Sequence, residues 1–255
     1  MGTHALFCAH AFRRETGVFC LPGEETVGAC AARFLLSLGH RSVCCFSPSD
    51  AGTWARARYE GISRAFDAHG FPGAVDGRNL AASDFIRTGM AEFTRPAQPW
   101  SVLIDGLTQL EAPPAGMVDA RSLEVGQSVN ARLNNLAWGQ LVRRELRPHM
   151  EAALAGGGYT VWVGLNDEIA SVCMSFLAAH GIRVPQDVSV LGFDDTLDSF
   201  TLGITSHNMN PAGLAQAVVN FLLRPTRVQR AAKNSEVRVD VEGFIVPRQS
   251  TAAAQ

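Results

Sequence analysis

Short runs that are apolar at nearly every position alternate along the chain with longer stretches in which apolar residues recur every three or four places. The first pattern marks strands buried on both faces and the second marks helices packed by one face, so their alternation predicts a parallel sheet covered by helices. Strands are predicted at 4–10, 42–47, 159–163, 187–193, 205–209 and 237–246. Helices are predicted at 24–38, 53–69, 130–154, 166–180 and 211–223. Gly39, Gly70 and Gly181 stand where three of these helices should stop, because glycine accepts the left-handed conformation that ends a helix. The triplet Gly156-Gly157-Gly158 closes the helix at 130–154, whose interior holds two candidate breaks, Gly139 and Pro148. Pro211 suits a first helical turn, Asn166 or Asp167 suits a cap, and each crossover is expected to be right-handed.

Residues 71–129 do not declare their elements. The run at 100–104 reads as a strand, while Pro96, Pro99, Pro113 and Pro114 interrupt the chain around it. The segment is too long for irregular structure inside a compact domain, so it is expected to hold elements that the pattern does not reveal.

The 255 residues suffice for one large domain or two lobes, and 47% hydrophobic with 18% charged residues describes a globular chain. A net charge of -2 gives no basic excess with which to grip nucleic acid. No apolar run has the length of a membrane helix, and MGTHALFCAH lacks the basic start and apolar core of an export signal. Six scattered cysteines form neither a disulfide framework nor a CxxC metal spacing, so they are read as reduced, buried thiols of a cytoplasmic protein.

The most informative stretch runs from Val161 to Thr196. One predicted strand ends in Asn166-Asp167-Glu168 and another in Asp194-Asp195. Open α/β sheets gather ligand groups at the carboxyl ends of their strands, and an amide and a carboxylate delivered to one rim can hold several hydroxyls. The competing reading is that these residues only cap helices and form turns. No histidine or third carboxylate stands nearby at metal-ligand spacing, so neither a metal nor a cofactor is expected.

Several blocks recur here in a definite order: FLLSLGHR at 34–41, RARYEG at 56–61, Asn166-Asp167-Glu168 with Ala170, GIRVP at 181–185, DVSV at 187–190, GFDD at 192–195, then Ile204-Thr205-Ser206 and PAGLA at 211–215. Together they resemble the effector-binding core of the lactose/galactose repressor family, bacterial transcription regulators whose sensing domain is like a periplasmic sugar-binding protein. The resemblance implies an α/β fold of parallel sheets flanked by helices, arranged as two lobes that close on a small molecule without catalysis. It places Arg58, Asn166 and Asp194 on effector hydroxyls. Arg58 suits that role because its planar fork can grip two adjacent oxygens, although without the surrounding blocks it would read as a surface arginine. Departures from the family are also visible. Ala9 stands near a position that usually holds a carboxylate, with His10 the nearest polar substitute, and Met209 or Asn210 aligns with a usual Gln or Asp. Trp54, Trp100 and Trp138 are candidates either to stack on a sugar or to pack in the core.

Measured against that family, residues 1–21 with 209–236 form a truncated first lobe. Residues 22–208 with 237–248 form the second lobe, with an insertion near 71–129, and 249–255 a tail. The chain is therefore expected to be the ligand-sensing portion of a longer cytoplasmic regulator, unless a partner chain supplies the missing strands. Its expected partners are a small effector, in the first place a sugar, and a second copy of itself. Operator DNA would be reached only through a head that this sequence does not carry, and no membrane is involved. A free-standing solute-binding protein and an α/β enzyme are the alternatives. The first lacks an export signal; the second lacks an evident nucleophile or acid/base pair, and no GxGxxG or phosphate-loop motif supports nucleotide use.

Overall fold

A computed structural model describes residues 18–21, 23–47, 52–80, 120–223 and 237–254. The strand expected at 4–10, the run at 100–104, and the candidates His10 and Trp100 lie outside the described residues. Along the chain come β1 (Val18–Leu21), α1 (Glu24–Ser37), β2 (Val43–Phe46), α2 (Gly52–Ala68) and β3 (Val75–Arg78). They are followed by α3 (Ala120–Gly156), β4 (Val161–Gly164), α4 (Asp167–Ala179), β5 (Ser189–Phe193) and α5 (Leu197–Thr201). The last elements are β6 (Thr205–Asn208), α6 (Pro211–Leu223), β7 (Val237–Asp240) and β8 (Phe244–Val246).

Six strands form one sheet in the order β3-β2-β4-β5-β6-β8, parallel except for β8, which runs antiparallel to β6. Side chains alternate across it, as strand geometry requires. Val43, Cys45, Val161, Val163, Leu191 and Phe193 face a core shared with α1 and α2, while Cys44, Phe46, Trp162 and Val190 face a second core shared with α3 and α4. Both faces are dry, which is why these strands are apolar without alternation. β1 and β7 pair in parallel as a separate two-stranded sheet.

The helices α1 and α2 approach to backbone contact. A Cβ on Gly28 would strike the carbonyl of Arg58, and a Cβ on Gly61 would strike the carbonyl of Glu25. The two glycines permit this separation, which brings the start of α1 against the middle of α2.

Two expectations need correction, and two elements went unassigned. The helix expected at 130–154 begins ten residues earlier, at Ala120, and passes Gly139 and Pro148 without a break. Val142, Leu146, Met150 and Ala153 press one stripe of it into the second core. That burial, about 1.5–3 kcal/mol for each large side chain, outweighs the roughly 3 kcal/mol cost of an interior proline. The unassigned region contains a strand, β3, whose Asp76-Gly77-Arg78 gave no apolar signal because it lies at the sheet edge. The short helix α5 was not anticipated at all. Finally, the single strand expected at 237–246 is two strands, β7 pairing with β1 and β8 with β6. The backbone turns between them at Gly243, where a Cβ would overlap the His207 ring and the carbonyl of Asn208.

Among the described residues no helix is long and apolar enough to cross a membrane. Cys30, Cys44, Cys45 and Cys173 are free thiols, and the last three are buried. Burial pushes Cys44 up to about 12 and raises Cys45 and Cys173 as well, so they pack as apolar groups.

Candidate functional site

Since β4, β5 and β6 are parallel, their carboxyl ends emerge along one edge of the sheet. The chain leaving β4 presents the carbonyl of Leu165 and then Asn166, whose Oδ1 accepts from the Ile169 amide at 2.8 Å and caps α4. Leaving β5, both Asp194 and Asp195 adopt positive φ, +98° and +51°. Such backbone is costly for residues other than glycine and marks a place where side chains are held in set directions.

Arg58 of α2 reaches this edge. It is 1% exposed and its Nη1 donates to the Leu165 carbonyl at 2.7 Å. The same nitrogen lies 3.2 Å from Oδ1 of Asp194, while Nε donates to Oε2 of Glu24 at 2.6 Å. The Trp54 and Phe193 rings lie 4.8 Å and 5.2 Å from the guanidinium carbon. One cation is thus fixed by two carboxylates, one carbonyl and two aromatic rings, an arrangement that leaves it little rotamer freedom.

Of the residues singled out in the sequence, Arg58 approaches both Asp194 and Trp54, and Asn166 follows the residue whose carbonyl Arg58 binds. The Asn166 side chain is also a helix cap, so the capping reading and the rim position both hold for it. Met209 is half-buried and packs, with Trp54, against the core under α1 and α2. Trp138 packs against the opposite core and donates to Glu168 at 2.9 Å. The two acids after β5 divide their work. Asp195 takes a bond from Asn208 at 2.7 Å and a short one from Arg248. Burial works to raise its pKa, but these two partners outweigh it and hold the carboxyl below the usual carboxylate range. Asp167 accepts from the Thr196 amide at 2.7 Å, the Thr196 hydroxyl at 3.0 Å and Ser206 at 2.6 Å, tying the ends of β4, β5 and β6 together. Burial nevertheless raises its pKa.

Sequence reasoning missed Glu24. Its place in the first turn of α1 fits the helix dipole, and that ordinary role concealed its contact with Arg58. It also missed His207, which is buried, with Nδ1 unpaired among the described residues. Burial and the nearby Arg58 charge push that imidazole down to about 4.

Cavities lined by described residues include the following pair. One of about 80 Å³ lies between α1 and the β7–β8 link, lined by Val27, Cys30, His207 and Glu242 among others. The other, of about 270 Å³, lies beside His40, Thr160 and Ser189 at the amino ends of β4 and β5. Neither of these two is lined by Arg58, Asn166 or Asp194. No group of three or more His, Cys, Asp or Glu suited to a metal occurs among the described residues.

Residues 118–251 match the periplasmic binding protein-like domain family. The lactose operon repressor of Escherichia coli is 30% identical over 145 residues, which span 49% of this chain and 39% of the repressor. Among solved structures, a LacI family transcriptional regulator from Enterococcus faecium with bound ribose superposes with TM-score 0.53 at 19% identity, over 94% of this chain and 66% of that one. A dimeric Lac repressor with a C-terminal deletion gives TM-score 0.56 at 17% identity, over 94% of this chain and 65% of that one. At these identities the structures show a shared fold, and the chain spans less than two thirds of the length of each of these relatives.

Proposed function

The chain belongs to the periplasmic binding protein-like domain family, and from that premise we propose that it is the ligand-sensing part of a transcription regulator of the lactose/galactose repressor type. Its effector is a sugar or a related polyhydroxylated metabolite. Arg58, Asn166 and Asp194 take the hydroxyls, Trp54 backs Arg58, and His10 and Met209 border the ligand. We place residues 22–208 with the β8 region in the lobe that carries the rim, and residues 1–21 with 209–236 in the other lobe, to which β7 goes through its pairing with β1. The observation that carries this reading is the pairing of Arg58 with Asp194 at the rim, one residue from Asn166.

Binding at that rim changes the angle between lobes, provided the ligand favours one angle over the other in free energy. No bond is made or broken. Cys44, Cys45 and Cys173 are buried and raised in pKa, so these three pack rather than attack, which supports a binding role over an enzymatic one. The regulator works in the cytoplasm as a homodimer, and the operator is read by a separate helix-turn-helix head. An exposed apolar cluster on and beside α5, formed by Leu197, Phe200 and Leu202, supports self-association. Calorimetric titration of the chain with a monosaccharide panel tests the reading. A binder must emerge, and Arg58→Ala and Asp194→Ala must each weaken it at least tenfold; equal binding by all three proteins contradicts it.

A further inference from the structure

We propose that Asp167 is a positioning residue of the rim: its buried carboxylate holds the Asp194-Asp195 turn in the strained backbone conformation that directs the Asp194 side chain. This rests on the sensing reading above and adds to it a residue that acts through Asp194 rather than on the ligand itself.

Asp194 and Asp195 have φ of +98° and +51°, and such a pair persists only where the surroundings over-determine it. The Asp194 amide donates to the His207 carbonyl at 2.9 Å. The Asp195 amide donates to the Ser206 hydroxyl at 3.0 Å, and that hydroxyl donates onward to Oδ1 of Asp167 at 2.6 Å. Directly after the turn, the amide and hydroxyl of Thr196 donate to Oδ2 of the same carboxylate at 2.7 Å and 3.0 Å. One oxygen of Asp167 thus grips the turn through Ser206 of β6, and the other grips its exit. The Asp195 carboxylate is occupied by Asn208 and Arg248. The Asp194 side chain, 38% exposed, is the part of the turn that this clamp presents at the rim, 3.2 Å from Nη1 of Arg58.

The direction of the bonds calls for a carboxylate. Asp167 is 2% exposed, and three donors converge on it. The Thr196 amide can only donate, so an asparagine at 167 must turn its oxygen toward Thr196. Its NH2 then faces the Ser206 hydroxyl, which can no longer donate on that side, and the relay to Asp195 loses its acceptor. The place of Asp167 in the first turn of α4 accounts for a negative charge there but not for bonds to Thr196 and Ser206. β5 is shaped for the same contact: a Cβ on Gly192 would lie 2.3 Å from Oδ1 of Asp167, so only a glycine leaves the carboxylate its room.

The test reads the turn in the full chain with and without ligand. Positive φ brings an amide proton close to its own Hα, so Asp194 and Asp195 should each give a strong intraresidue HN–Hα NOE in the parent. Asp167→Asn should remove these NOEs and weaken binding of the neutral monosaccharide that the parent binds by roughly tenfold or more. Ser206→Ala, which deletes only the relay to Asp195, should act in the same direction and carries the test if Asp167→Asn does not fold. Ser250→Ala is the structural comparison. It loses buried bonds to the Val190 carbonyl and from the Thr205 amide, at the opposite ends of β5 and β6. It should lower the melting temperature and leave both the NOEs and the affinity unchanged. NOEs retained in the folded Asp167 and Ser206 variants overturn the anchoring. NOEs lost without loss of affinity, or an equal loss of affinity in Ser250→Ala, overturn the positioning role. Failure of every monosaccharide to bind the parent overturns the sensing reading, and the positioning role with it, while the NOEs decide the anchoring of the turn by themselves.

Discussion

Gly28 of α1 lies directly against the backbone carbonyl of Arg58 in α2, with no room between them for a Cβ. The site side chain is therefore placed by a helix crossing rather than by a loop, and the crossing depends on an absent side chain.

Gly28→Ala should accordingly cost about 3 kcal/mol or more, because the added methyl meets backbone and the helices must separate. Urea unfolding measures the loss. Ligand binding should suffer beyond what the lower stability explains, since separation pulls Glu24 from Arg58.

Arg58→Ala should destabilise the fold by about 3 kcal/mol, because it removes a buried cation that bonds a largely buried Glu24 and the Leu165 carbonyl. The figure sits at the lower end for a broken buried pair because Asp194 is partly solvated. Asp194→Asn, which removes the more exposed charge, should cost less than half as much in the same denaturation series.

The helices at 24–38, 53–69, 166–180 and 211–223 were legible because each carries a one-sided apolar period or ends at a glycine of positive φ, as at Gly39, Gly70 and Gly181. β2, β4 and β5 were legible because both faces are buried, so nearly every position is free of polar side chains. What stayed hidden depends on contacts distant in sequence. β3 gains its place from pairing with β2, and the division between β7 and β8 is fixed by two separate partners. Asn166, Asp194 and Arg58 were readable from their blocks, whereas Glu24 looked like a favourable first-turn acid until the crossing set it beside Arg58.

His207 should give the protein an acid-sensitive stability. Its folded pKa of about 4 lies below the 6.5 of a free imidazole, so the folded state prefers the neutral ring. That contribution is complete above pH 6.5 and is lost as pH falls toward 4. The loss amounts to about 2 kcal/mol between pH 7 and pH 5. His207→Leu should remove this share from the pH dependence of urea unfolding. His40, also pushed down by burial, keeps its own share.

Asn210 has φ +55° and its Oδ1 accepts from the Gly213 amide at 2.9 Å, capping α6, while its Nδ2 donates to the Glu242 carbonyl at 3.0 Å. Asn210→Ala should cost about 1–2 kcal/mol through the lost cap and the strained backbone. Asn210→Gly should lose less, because glycine accepts the positive φ. Thermal unfolding of the two variants orders them.

Thiol labelling should distinguish the cysteines. Cys44, Cys45 and Cys173 should resist a maleimide in native buffer and react only on unfolding, whereas half-buried Cys30 should react early. Peptide mapping by mass spectrometry reads the order.

The most direct measurement is calorimetric titration of monosaccharides into the parent chain, Arg58→Ala and Asp194→Ala, with all three shown to be folded. A neutral sugar that binds the parent and binds each variant at least tenfold more weakly is the predicted result. Unchanged affinity in both variants, or no binding by the parent across the panel, would contradict the assignment of the rim as a sugar-sensing site.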